Sequence, residues 1–263
     1  MSEVIVPDSV REVAALVEKS RRILFITGAG ISADSGLPTY RGIGGLYNDP
    51  LTEDNMPIET ALSGAMLAMK PHITWKYLLQ VESACRGAGH NIAHRIITEI
   101  ERLKPDSWVL TQNIDGFHRA AGTRQLIEIH GNVTRLYCTT CHFSEDVPNY
   151  AGLSVPPICP RCYGLMRPSV VLFGERLPFV ALDTLQTQLA QGFDLVFSIG
   201  TTSVFPYIAQ PVLDAKYWGA KTVEINPGET EVSGCVDYKL PMRAAEALAA
   251  IWLAMGKPLP ASA

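Results

Sequence analysis

"GAGISADSGLPTYRG" (residues 28–42) follows the apolar run "ILFIT" (23–27) without a break. A buried strand that runs straight into Gly-Ala-Gly marks a turn whose backbone N–H groups can lie against a diphosphate. Tight packing of the turn is the competing explanation, because two close backbones also require glycine. The usual dinucleotide fingerprint continues into a helix and places an acid for the ribose about twenty residues on. Here the chain continues "SGLPTYRG", which no ordinary helix contains, so an irregular polar loop is expected after the glycines.

Around this stretch the chain alternates. "PDSVREVAALVEKS" reads as a helix with Ser9 and Glu12 as a capping box and Val10, Val13, Ala14 and Val17 on one face. "RRILFIT" is continuous in apolar residues, as a strand buried on both faces must be. Further strands are expected at 108–112, 126–131, 195–200 and 221–226. Helical patterns lie between them at 93–103, after Pro178, at 208–216 and near 244–255. Strands alternating with helices indicate an α/β chain with a doubly wound, Rossmann-like parallel sheet.

Two stretches break the alternation. Residues 46–87 are rich in Met, Pro and small residues, with helical spacing in "ALSGAMLAM" and "ITWKYLLQV"; residues 136–166 hold two cysteine pairs among prolines. They read as insertions that pack together into a smaller helical and zinc-ribbon lobe, with ordinary loops the alternative for 46–87. The expected division is a Rossmann lobe over 1–45, 88–135 and 167–263, and a small lobe over 46–87 and 136–166.

With 47% apolar and 18% charged residues the composition is that of a folded domain, not a disordered chain. A net charge of -4 gives no support to a surface for nucleic acid or anionic membrane. No apolar run is long enough to span a bilayer, and "MSEVIVPDSVREV" has no secretory pattern, so a cytoplasmic protein is expected.

Cys138, Cys141, Cys159 and Cys162 form Cys-x2-Cys-x17-Cys-x2-Cys, leaving Cys85 and Cys235 apart. This is zinc-ribbon spacing, and four thiolates fill a tetrahedral Zn²⁺ with no place for a reactive water, so its role is structural. Redox chemistry is the rival and suits two spaced pairs less well. His142 reads as a solvated loop residue beside the quartet. Between 136 and 166 only Arg161 is basic, against Glu145 and Asp146, so the ribbon lacks a nucleic-acid face.

Five strands end in polar signatures: "GAGIS", "TQNID", "HGN", "GTTS" and "EINP". Ligands of such sheets bind outside the carboxyl ends of the strands. Those motifs, in order with "TQNIDGFHRAAG", the cysteine quartet and "RPSVVLFGE", resemble the sirtuin family of NAD-dependent protein-lysine deacylases from about Arg22 to Leu240. The resemblance implies a cleft between the lobes where NAD and an acyl-lysine meet. There nicotinamide is expelled, the acyl oxygen takes the ribose C1′, and a ribose hydroxyl must then lose a proton to a general base.

His130, in "IHGN", matches the family's base, although an isolated histidine would read as a core residue. Asn113 and Asp115 match positions for ribose or water and for the nicotinamide carboxamide; capping of the following helix is the alternative for Asp115. The resemblance places Gly28, Ala29, Gly30, Ser32 and Ala33 near the phosphates and Tyr40 and Arg41 near the reacting ribose, on a mobile loop. Gln112, Gly200, Thr201, Thr202, Asn226 and Val236 complete the implied NAD contacts, with Asn226 in place of the missing acid. His118 and His94 read as structural.

The segment "RPSVVLFGE" (167–175) matches the one beside which the substrate peptide adds as a strand, with Val171, Phe173, Gly174 and Glu175 as its contacts. Without the family it reads as a buried strand ending in a Gly-Glu turn. Tyr40 and Leu172 depart from the commoner Phe and Trp. Relatives that accept malonyl or succinyl groups carry Tyr-x-x-Arg in the helix matching "TWKYLLQVE"; here Tyr77 with Gln80, or Leu78 with Val81, stands there. Without that cation a buried acyl carboxylate is costly, so an uncharged acyl group is expected. ADP-ribosyl transfer or NAD hydrolysis at the same site is the alternative activity, and a non-catalytic NAD-sensing ribbon module the alternative of another class.

Overall fold

In a computed structural model of the chain, residues 7–38 and 49–261 are described. Among them nine strands occur: β1 (Ile23–Thr27), β2 (Trp108–Thr111), β3 (Leu126–Glu128), β4 (Gly131–Cys138), β5 (Ser144–Asp146), β6 (Met166–Val170), β7 (Leu195–Ile199), β8 (Lys221–Ile225) and β9 (Tyr238–Leu240). Six form one sheet in the order β3-β2-β1-β7-β8-β9, parallel throughout. The strand order reverses beside β1, so the connections leaving β1 and β7 part at their carboxyl ends and open a crevice there.

Every residue of β1 and β7 is buried, which explains their unbroken apolar runs. Ile23 and Phe25 share a core with the helices Asp8–Lys19, Ile92–Leu103 and Ala244–Ala254. Leu24 and Ile26, on the opposite face, pack with the helices Phe179–Ala190 and Pro206–Tyr217. The period-2 alternation of one strand thus feeds two helical layers. Across the sheet Phe25 and Phe197 stack at 5.1 Å, a pair worth about 0.5–1.5 kcal/mol beyond its area.

Two local expectations fail. The first helix begins at Asp8, and Pro7 provides no side-chain cap. Ser9 therefore lies inside the first turn, two residues past the N-cap that a capping box with Glu12 needs. After the glycine turn the chain is not wholly irregular: Ala29–Ser32 is one turn of α-helix and Ala33–Ser35 a turn of 3₁₀-helix. Gly36, at φ +83°, stops it, and the side chains of Asn91 and Asp34 tie it to neighbouring helices.

The second sheet is antiparallel, in the order β5-β4-β6. Its Leu136, Cys138 and Met166 share one core with Ile58, Leu67, Trp75 and Tyr77 from the helices Ile58–Ala61, Gly64–Met69 and Pro71–Cys85. The indole N–H of Trp75 donates to the Met166 carbonyl at 3.1 Å, joining helical and ribbon parts. The lobe borders placed at 135/136 and 166/167 cut through β4 and β6, which belong wholly to this sheet. Val133, Val170 and Leu172 go with the small core; in β4 Leu136 and Cys138 are two residues apart on its buried face, and an irregularity between Asn132 and Leu136 sets Val133 out of that alternation. Among the described residues no helix is long and apolar enough to cross a membrane.

Candidate active site

The turns after β1 and β7 interlock. Gly28 N–H donates to the carbonyl of Ile199 at 3.0 Å, and Gly30 N–H to that of Gly200 at 2.8 Å. A side chain on Gly30 would lie 2.6 Å from Gly200 Cα, and one on Gly28 2.8 Å from the Gly200 carbonyl oxygen. Both glycines therefore serve backbone-to-backbone packing. Their amides are occupied and not free for a diphosphate, which corrects the phosphate reading of these two N–H groups.

Beside this joint the end of β2 brings in three polar side chains. Gln112 Nε2 donates to Thr201 Oγ1 at 2.7 Å, and Asn113 Nδ2 to the Gly28 carbonyl at 3.1 Å and Ser32 Oγ at 3.2 Å. Ser32 Oγ donates to Asp115 Oδ2 at 2.7 Å, while Asp115 Oδ1 accepts from Phe117 N–H at 2.9 Å. Asp115 thus also holds the start of the Phe117–Ala120 helix. Burial raises its carboxyl above the ordinary value and Glu128 adds to the rise; the Phe117 and Ser32 hydrogen bonds oppose it.

His130 stands just past β3, between this cluster and the loop after β7. Its Nδ1 lies 2.9 Å from the Gln112 carbonyl and its Nε2 2.8 Å from the hydroxyl of Tyr207. A carbonyl only accepts, so Nδ1 carries the proton and Nε2 offers its lone pair. Burial lowers the histidine below its ordinary value, while the Gln112 carbonyl pulls the other way. The ring is a neutral base. Phe205 stacks on Tyr207 at 5.4 Å, and both rings meet the edge of His130.

Sequence reasoning missed Tyr207. The one signal was its position: Pro206 and Tyr207 open a helix two residues beyond "GTTS", near the carboxyl end of β7.

Asn226, after β8, donates from Nδ2 to the Thr201 carbonyl at 3.1 Å and accepts from Gly228 N–H at 3.0 Å, so it braces two loops of the crevice. Thr201 is buried, Thr202 is exposed, and Val236 packs against the core beneath β8. Ala29 opens the short helix in which Ser32 lies, and Ala33 follows it. Tyr40 and Arg41 lie outside the described residues. His118 is buried with Nε2 3.0 Å from Thr27 Oγ1, and His94 completes the cap of the Ile92–Leu103 helix.

The segment 171–175 is a bent connection beyond β6. Val171 N–H donates to the His130 carbonyl, Phe173 N–H to Leu62, and Gly64 N–H to Phe173. These main-chain groups are already paired, so a peptide would find fewer partners here than along an open strand edge. Gly174 takes φ +79°, and Glu175 is bound by Arg167 and by Leu172 N–H. Glu175 therefore shapes the segment.

Tyr77 is buried with its hydroxyl on Asp54 at 2.5 Å, and Gln80 is exposed. Leu78 is buried in the small core and Val81 packs at its margin.

The four sulfurs of Cys138, Cys141, Cys159 and Cys162 all lie within 4.8 Å of one another. Cys138 and Cys162 are 3.4 Å apart, Cys141 and Cys159 3.6 Å. Those separations are far beyond a disulfide and near the ~3.8 Å edge of a tetrahedral Zn–thiolate site. The N–H groups of Cys141 and Thr140 point at Cys138 Sγ and favour its thiolate. After each pair the next residue, His142 or Tyr163, turns left-handed at φ 58° or 60°. The donor set fits structural zinc, and His142 is exposed outside the cluster.

Comparisons with known proteins agree with this geometry. The profile described as Sir2 family matches residues 28–206. The chain is 51% identical over 241 residues to NAD-dependent protein deacylase 2 of Pseudomonas syringae pv. tomato, covering 90% of this chain and 97% of that one. It resembles a crystal structure of a Sir2 homolog–NAD complex, with TM-score 0.83, 32% identity and 93% of each chain covered. A Sir2 variant with a deacetylated p53 peptide and 3′-O-acetyl ADP-ribose matches at TM-score 0.84 and 28% identity, over 95% of this chain and 99% of that one.

Proposed function

The chain belongs to the Sir2 family, and from that premise we infer that it is an NAD-dependent deacylase of protein lysine. The observation that carries this reading is His130, a neutral base beside the Asn113–Ser32–Asp115 chain at the strand-order reversal. When bound, NAD supplies a ribosyl carbon with a good leaving group. Ala29, Ser32, Ala33, Asn113, Asp115, Thr201, Thr202, Asn226 and Val236 are the described residues that would hold it. The linked side chains of Gln112, Asn113, Ser32 and Thr201 support this, because they form a polar lining fixed before any ligand arrives. His130 Nε2 takes the proton of the reacting hydroxyl, and Asp115 orients polar groups on the nicotinamide side.

The acyl group is uncharged in this reading. Lys76, the one lysine or arginine of the Pro71–Cys85 helix, is tied to Asp54 at 2.9 Å and Glu53 at 3.0 Å. Its remaining partners offer an acyl carboxylate repulsion instead of a counter-ion. Zn²⁺ on the four cysteines holds the ribbon. The six cysteines are unbridged, which supports a reducing, cytoplasmic setting. Arg161 lies over Phe143 and Arg135 pairs with Asp146, which supports a ribbon without a basic nucleic-acid face.

Nicotinamide release, measured with NAD and acetyl-, succinyl- or unmodified lysine peptides, tests the reading. Release should need acyl-lysine and favour acetyl over succinyl by at least about tenfold. Release equal with unmodified peptide would point to hydrolysis or ADP-ribosyl transfer instead.

A further inference from the structure

Both ring nitrogens of His130 are engaged. Nδ1–H is held by the Gln112 carbonyl, and the lone pair of Nε2 faces the Tyr207 hydroxyl at 2.8 Å. A neutral imidazole has one lone pair to accept with, so a second hydroxyl cannot donate to it while Tyr207 does. A proton bound for this base must displace Tyr207 or travel through its oxygen.

The phenol is placed to stay. Tyr207 lies in the first turn of the Pro206–Tyr217 helix, its ring stacked on Phe205 with an interplanar angle of 13°. His130 meets both rings edge-on at 86° and 83°. Displacing the hydroxyl would break the hydrogen bond and disturb the ring stack. Passing a proton through it would do neither. Burial raises the Tyr207 phenol above its ordinary value, so at neutral pH it keeps the proton that a relay needs.

We propose that Tyr207 is a catalytic residue whose hydroxyl relays the proton of the reacting sugar hydroxyl to His130 Nε2. Tyr207 Oη gains the proton of the incoming hydroxyl as its own proton moves to Nε2. One O–H bond breaks on the donor, one N–H bond forms on the imidazole, and the phenol ends as it began. His130 becomes an imidazolium that still donates from Nδ1 to Gln112. The assignment rests on the deacylase reading for the identity of the hydroxyl, while the contact itself does not.

Two measurements on Tyr207→Phe test it. In the ligand-free protein, nitrogen NMR of His130, assigned by its loss in His130→Ala, should show the Nδ1–H tautomer with a hydrogen-bonded Nε2. The variant should keep the tautomer, with the Nε2 resonance moved to the position of an unbonded ring nitrogen. The second readout is the ratio of deacylation to exchange of labelled nicotinamide into NAD, since nicotinamide leaves before the base acts. That ratio should fall about 10²-fold, the contribution typical of a positioned proton-transfer group. Tyr217→Phe, at the exposed end of the same helix, should leave spectrum and ratio as in the wild type.

An unchanged Nε2 resonance, or a ratio that holds or rises because the phenol merely steps aside, would overturn the proposal. Wild-type protein inert toward acyl-lysine peptides would sink the deacylase reading alone. The His130 spectrum would still confirm or overturn the contact on which the relay depends.

Discussion

Gly30 donates its amide to the carbonyl of Gly200 at 2.8 Å, so the turns after β1 and β7 touch backbone to backbone. This joint sets the floor of the crevice and the positions of Ser32 and Thr201 on either side of it.

Gly200 sits at φ +58°, and a methyl group there would come 2.6 Å from the backbone of Gly30. The left-handed conformation and the overlap together should make Gly200→Ala about 2–4 kcal/mol less stable. Urea unfolding measures this; a loss below about 0.5 kcal/mol would mean that the joint is loose.

Arg167 is buried against Glu175, donating from Nη2 to Oε2 at 2.8 Å and to the Val170 carbonyl at 2.9 Å. Arg167→Met leaves the carboxylate without its cation and should cost about 3 kcal/mol. Because the pair shapes 171–175, the KM for peptide should rise more than kcat falls. Equal effects on both would place Arg167 outside substrate binding.

His118 is fully buried, and burial pulls its pKa from 6.5 to about 3. Between those values the unfolded chain binds a proton that the folded protein refuses. Stability present above pH 6.5 should therefore fall on acidification toward pH 3, by about 1.4 kcal/mol per pH unit from this group. In His118→Gln the pH slope of the unfolding free energy should drop by one proton across that window; an unchanged slope would contradict the burial argument.

Cys138 ends β4 while Cys159 and Cys162 precede β6, so zinc on the quartet would tie the two strands together at that end. Structural zinc contributes on the order of 10 kcal/mol, so Cys159→Ser should purify with little zinc and lose the ordered β5-β4-β6 sheet. Elemental analysis and limited proteolysis across 138–170 check this. Full zinc occupancy with three cysteines would show that the fourth is dispensable.

The doubly wound sheet was legible because "ILFIT" and "LVFSI" are apolar on both faces, and only a strand covered on both sides needs that. The cysteine quartet was legible because its spacing is itself the geometry. The extent of the ribbon sheet was not: β4 and β6 carry Asn132, Arg135 and Pro168, which mask the alternation. The role of the glycine amides also stayed hidden, because a turn that packs on another turn reads like one that holds a phosphate. Tyr207 was invisible because its contact with His130 joins residues 77 apart across the sheet, and local pattern carries no trace of such a pair.

The most direct test follows the acyl group itself. A peptide carrying an isotope-labelled acetyl-lysine, incubated with NAD and the protein, should yield labelled acetyl-ADP-ribose by mass spectrometry, and His130→Ala should lower its formation at least about 10²-fold. Label appearing only as free acetate, or product forming equally well in the His130 variant, would contradict the account.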